Sequence, residues 1–93
     1  MSGNRFTTIW DATEDTPAEA ANMKLRSALM TALRDRISAE ALTQSQAADI
    51  LGVTQPRISD LLRGKIDLFG LDTLVNMATA AGMNVELTIS KAA

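Results

Sequence analysis

The chain has 93 residues, 46% of them apolar, and a formal net charge of −2; it can form one small core, near the size at which oligomerisation often adds stability. With neither cysteine nor histidine, a disulfide scaffold, a zinc finger, a thiol nucleophile and the commonest general base are excluded, and the carboxylates are scattered, so no catalysis, metal or cofactor is expected. No apolar run approaches the roughly 20 residues of a membrane span and the first residues lack the pattern of a signal peptide, so a cytoplasmic protein without a membrane partner is expected.

Residues 1–16 read as an acidic arm with one apolar cluster, Phe6, Ile9 and Trp10. Thr16-Pro17-Ala18-Glu19 then starts a long helix: Thr caps free amides, Pro is tolerated in the first turn, and Glu19 complements the positive end of the helix dipole. Leu25, Leu29, Ala32, Leu33 and Ile37 recur at helical spacing and form its expected packing face, with Arg26, Arg34 and Arg36 on a charged face.

Thr43-Gln44-Ser45-Gln46 is a capping box that opens a second helix, and Gly52 supplies the left-handed residue that ends it. After Gly52-Val53-Thr54, Thr54 is expected to cap a third helix with Pro56 in its first turn, Ile58, Leu61 and Leu62 as its apolar stripe, and Gly64 as its stop. Leu71, Leu74, Val75 and Ala78 make a fourth helix between Gly70 and Gly82. From Met83 the period changes to two: Val85, Leu87 and Ile89 alternate with Glu86, Thr88 and Ser90, the pattern of a half-buried strand. The organisation read from this pass is an arm (1–16), a helical domain (17–82) and a C-terminal strand (83–93).

Charge is unevenly distributed. Residues 1–22 carry one cation against four carboxylates, net −3, whereas residues 23–65 carry seven cations against four carboxylates, net +3. Within that basic stretch, residues 43–65 have the spacing of a helix-turn-helix. Counting Gln44 as first, Ala48 is fifth, where two helices cross too closely for a longer side chain, and Gly52 is ninth, where the backbone must turn through a conformation that penalises a Cβ. Ala47, Leu51, Val53, Ile58 and Leu61 fill the inward positions.

Leu42-Thr43-Gln44-Ser45-Gln46-Ala47-Ala48 followed by Gly52 through Lys65 resembles the XRE/Cro-type domain, and the likeness extends over roughly residues 25–82. Ile9-Trp10-Asp11, Asn22 through Arg26 and Leu71 through Val75 resemble the HigA-like antitoxin branch of that family. Gly70 stands where many relatives have Ser before the fourth helix. The resemblance implies a mainly α, four- to five-helix lambda-repressor-like DNA-binding domain with a short C-terminal β-strand. It further implies a repressor that binds a pseudo-palindromic double-stranded operator, and, for the antitoxin branch, a RelE/HigB-like ribonuclease toxin as a second partner.

In such a unit the third helix enters the major groove with its N-terminal residues at base edges. Gln55 then matches adenine, Arg57 matches guanine, and Pro56 can touch a thymine methyl; Ser59 faces the groove, and Asp60 either accepts from cytosine or pairs with Arg57. Thr43, Gln44 and Thr54 at helix starts, with Arg63 and Lys65 beyond the third helix, are the expected phosphate contacts, although the two threonines cap helices in any case and the two cations also suit a helix C-terminus.

A lone terminal strand leaves unpaired edges. Val85, Leu87 and Ile89 are therefore expected to pair with the same strand of a twofold mate, making a homodimer, or else with the chain's own Phe6–Ile9 segment. Phe6, Ile9 and Trp10 are the expected toxin-binding cluster unless they fold back onto the first helix.

Overall fold

Thr16 and Glu19 close a capping box: the Thr16 hydroxyl accepts from the Glu19 amide and the Glu19 carboxylate from the Thr16 amide, both at 3.0 Å. This box starts α1, Pro17–Ala39, in a computed structural model that describes residues 16–91. The Thr43–Gln46 box, at 2.9 and 3.1 Å, starts α2, Gln44–Leu51. A threonine cap of this kind contributes about 1 kcal/mol. Next come α3, Gln55–Leu62, a 3-10 turn at Ile66–Leu68, and α4, Leu71–Ala80. The mainly helical architecture expected from the sequence is present, with four α-helices among the described residues.

The helix ends follow one scheme. Gly64 sits at φ 72° after α3, where Lys65 N–H reaches the Asp60 carbonyl at 3.1 Å and Gly64 N–H the Leu61 carbonyl at 3.0 Å, the double closure of a Schellman motif. Helix α1 ends in a similar way, with Leu42 N–H on the Ile37 carbonyl at 3.0 Å, but the left-handed position is held by Ala41 at φ 51°. Nothing in the composition of residues 39–43 marks that stop, because alanine is the strongest helix former.

The core is formed by Met30, Leu33 and Ile37 of α1, Ala47, Ala48 and Leu51 of α2, Ile58 and Leu61 of α3, Leu74, Met77 and Ala78 of α4, and Phe69 from the loop before α4. The packing face expected for α1 needs correction. Leu33 and Ile37 are buried and Leu29 packs against the core as expected, but the line is completed by Met30, whereas Leu25 and Ala32, with the outer edge of Leu29, border an apolar groove of about 340 Å³ formed by α1, α4 and residues 83–87. The apolar stripe of α1 is wider than its neighbours can cover, so one edge packs and the other stays partly open.

The C-terminal strand is not formed. Residues 84–91 carry neither helix nor strand, and Val85, Leu87 and Ile89 are 40%, 65% and 84% exposed. A strand is defined by its ladder, and the described residues offer this segment no partner edge. The arm cluster Phe6, Ile9 and Trp10 lies outside the described residues. Among the described residues no helix is long and apolar enough to cross a membrane.

Candidate nucleic-acid interface

Helices α2 and α3 are short amphipathic segments joined by three residues, and their relative setting is determined by the turn. Gly52 adopts φ 71°, and Val53 N–H reaches back to the Ala48 carbonyl at 3.0 Å. Ala48 is buried at the crossing, and Ile58 and Leu61 are wholly inaccessible beneath it. The two positions singled out from spacing therefore have the small side chain and the left-handed turn that the geometry requires.

Successive residues of a helix are rotated by about 100°. With Ile58 and Leu61 directed inward, the outward arc of α3 carries Pro56, Ser59 and Asp60, Arg63 continues it beyond the last turn, and Gln55 stands exposed on the flank at the first residue of the helix. Gln55, Pro56 and Arg63 are exposed, while Ser59 and Asp60 are half-buried. Asp60 is paired with Lys65 at 3.8 Å, so its intramolecular partner is not the Arg57 considered from the sequence.

Arg57 lies off this arc, on the flank next to Leu61. Its Nη1 donates to the Leu68 carbonyl at 3.0 Å, and its guanidinium carbon stands 5.1 Å from the centroid of the Phe69 ring. The residue expected to reach guanine is thus engaged with the loop that follows α3. Thr54 also differs from expectation: it occupies the N-cap position of α3 with extended backbone, but its side chain makes no capping hydrogen bond. Thr43 and Gln44 are exposed at the start of α2, although the Thr43 hydroxyl accepts from Gln46.

Beyond α3, Arg63 and Lys65 are exposed and are joined by Arg34, which helical spacing places only on the charged face of α1. Arg34 of α1 comes so close to Gly64 that a Cβ placed there would stand 3.5 Å from its Nη1. Three cations from two parts of the chain meet at this corner, near the negative end of the α3 dipole. The other two α1 arginines have structural tasks. Arg26 Nη1 donates to the carbonyls of Ile66 and Phe69 at 3.2 and 3.4 Å, and Arg36, ion-paired with Glu40, donates to the Ala81 carbonyl at 2.6 Å. Nothing within either arginine's own turn of sequence signals these partners.

A family model described as a helix-turn-helix domain matches residues 12–90. A solved structure described as an XRE family transcriptional regulator superposes with a TM-score of 0.72 and 31% identity, covering 80% of this chain and 83% of that one. No curated protein matches the chain.

Proposed function

This chain belongs to the XRE-type helix-turn-helix family, and on that premise we propose that it is a DNA-binding transcriptional regulator that lays α3 in the major groove of a specific operator. The observation that carries the proposal is the outward arc of α3. Gln55, Pro56 and Ser59 stand on a helix anchored by Ile58 and Leu61, with the Arg34, Arg63 and Lys65 corner at its end to meet phosphate. Gln55 takes adenine through N6 and N7, Pro56 and Ser59 add contacts at neighbouring bases, and Asp60 lies at the edge of the arc with its carboxylate on Lys65. Thr43, Gln44 and Thr54 are the proposed phosphate contacts at the helix starts, and a Thr54 hydroxyl that makes no capping bond is compatible with that task.

Selection from a randomised duplex library at physiological salt tests this directly. A roughly palindromic site should be enriched, and Gln55→Ala should relax one position of each half-site by about 1–3 kcal/mol. Enrichment of no sequence by the wild-type chain overturns the proposal.

A palindromic site requires two copies. We propose a homodimer in which Val85, Leu87 and Ile89 pair antiparallel with the same residues of a twofold mate, a reading supported by their exposed apolar alternation and unpaired backbone. Sedimentation at micromolar concentration checks it: removal of residues 85–93 should give a monomer, and a deletion variant that stays dimeric refutes the pairing.

A finer reading makes the chain a HigA-like antitoxin that represses its own operon and inhibits a RelE-like ribonuclease. It rests on the resemblance and on the arm residues Phe6, Ile9 and Trp10, and the partly open apolar groove between α1 and α4 favours a protein partner of some kind. A small basic reading frame beside the gene, whose product this chain inhibits, would support it; a free-standing gene would favour a regulator acting through DNA alone.

A further inference from the structure

Two guanidinium groups converge on residues 66–69. Arg26 approaches from α1 and takes the carbonyls of Ile66 and Phe69; Arg57 approaches from α3, takes the carbonyl of Leu68 and lies over the ring of Phe69, which is itself wholly buried. The loop thereby becomes a strut between α1 and the N-terminal half of α3. Such a strut matters because α3 has only eight residues and two wholly buried side chains, Ile58 and Leu61, both on one line. Leu62, half-buried against the core, holds the helix on one side of that line. The Arg57 contacts lie on the other side of the line, so that with Leu62 they oppose rotation of the helix in both senses.

We propose that Arg57 is a positioning residue of the DNA-reading helix, holding its angle through Leu68 and Phe69, and that it stays on the loop when DNA is bound instead of reading guanine. The inference rests on the DNA-reading proposal above and assigns base discrimination to Gln55 and the outward arc. An arginine that moved to a base edge would have to give up the charge-assisted hydrogen bond and the ring contact together. The planar fork suits both contacts at once, which a lysine ammonium cannot match.

The experiment combines site selection with NMR of the Arg57 side chain. With the wild-type protein, the Arg57 methylene protons should show an upfield ring-current shift from Phe69 that persists in the operator complex. Arg57→Ala should weaken binding to every duplex by a common factor of roughly twofold to thirtyfold, the cation–π range expressed as an equilibrium factor, without altering the selected sequence. Arg57→Lys should recover part of that loss with the same base preferences. Because Arg57→Ala also uncovers Phe69, its folded fraction is measured in parallel, and Phe69→Leu, which removes the ring but keeps an apolar plug, should reproduce the uniform loss. Disappearance of the ring-current shift on DNA binding, or relaxation of a guanine at one position in Arg57→Ala, overturns the inference. A wild-type chain that selects no sequence overturns both proposals, and it is told apart by appearing before any substitution is made.

Discussion

Phe69→Ala is expected to lower the unfolding free energy by about 3–5 kcal/mol, the usual result of deleting a fully buried aromatic ring. Phe69 is wholly inaccessible although it lies in a loop, and it is the surface on which Arg57 rests. The substitution leaves a cavity beneath the 66–69 loop and removes the cation–π contact, so the two losses fall on the same segment. A domain of this size has a total stability of roughly 0.05–0.15 kcal/mol per residue, which makes this change a large share of the whole. Thermal unfolding checks it, with a midpoint shift of about 4–8 °C for each kcal/mol. A shift of only a few degrees would mean that the loop is not part of the cooperative core.

Leu61→Ala is the second large effect, about 2–5 kcal/mol. Leu61 is one of the two wholly buried anchors of α3, and the helix is too short to persist without its packed face. Denaturant unfolding should show a lower midpoint. The DNA readout should differ in kind from that of Gln55→Ala: the folded fraction falls while the selected sequence stays the same, because Leu61 points away from the outward arc. A changed base preference in Leu61→Ala would show that α3 had been displaced in the protein that remains folded.

Local features proved readable wherever their partners lie close in sequence. The Thr43–Gln46 box closes over three residues, and the Gly52 and Gly64 stops are completed by hydrogen bonds that span at most five. Ala48 and Gly52 were legible because a close crossing and a left-handed turn each admit few side chains. Reading failed where several outcomes share one local pattern. Thr54 has the form of a cap but makes no capping bond, and Ala41 ends α1 without any of the residues that usually mark an end.

The candidate site divides along the same line. Pro56, Ser59 and Asp60 could be placed on one outward arc, and Gln55 beside it at the helix start, from helical period alone, given Ile58 and Leu61 as the inward pair. The position of Arg57 could not, since it depends on the loop carrying Leu68 and Phe69, held to α1 through Arg26, being brought against α3. Arg34 belongs to the basic corner because α1 passes beside Gly64, thirty residues further along the chain.

The sequence by itself determined the helix starts, the turn between α2 and α3, the two inward anchors of α3 and the family, because capping, glycine dihedrals and helical period are decided within a few residues. Only the tertiary structure decided which cations are free. Arg26 donates to carbonyls 40 and 43 residues away, Arg36 to one 45 away and Arg57 to one 11 away, while Arg34 and Arg63 carry no ion pair among the described residues. A guanidinium on a long flexible stem takes whichever carbonyl the packed chain brings within reach, and that choice exists only after the core has formed.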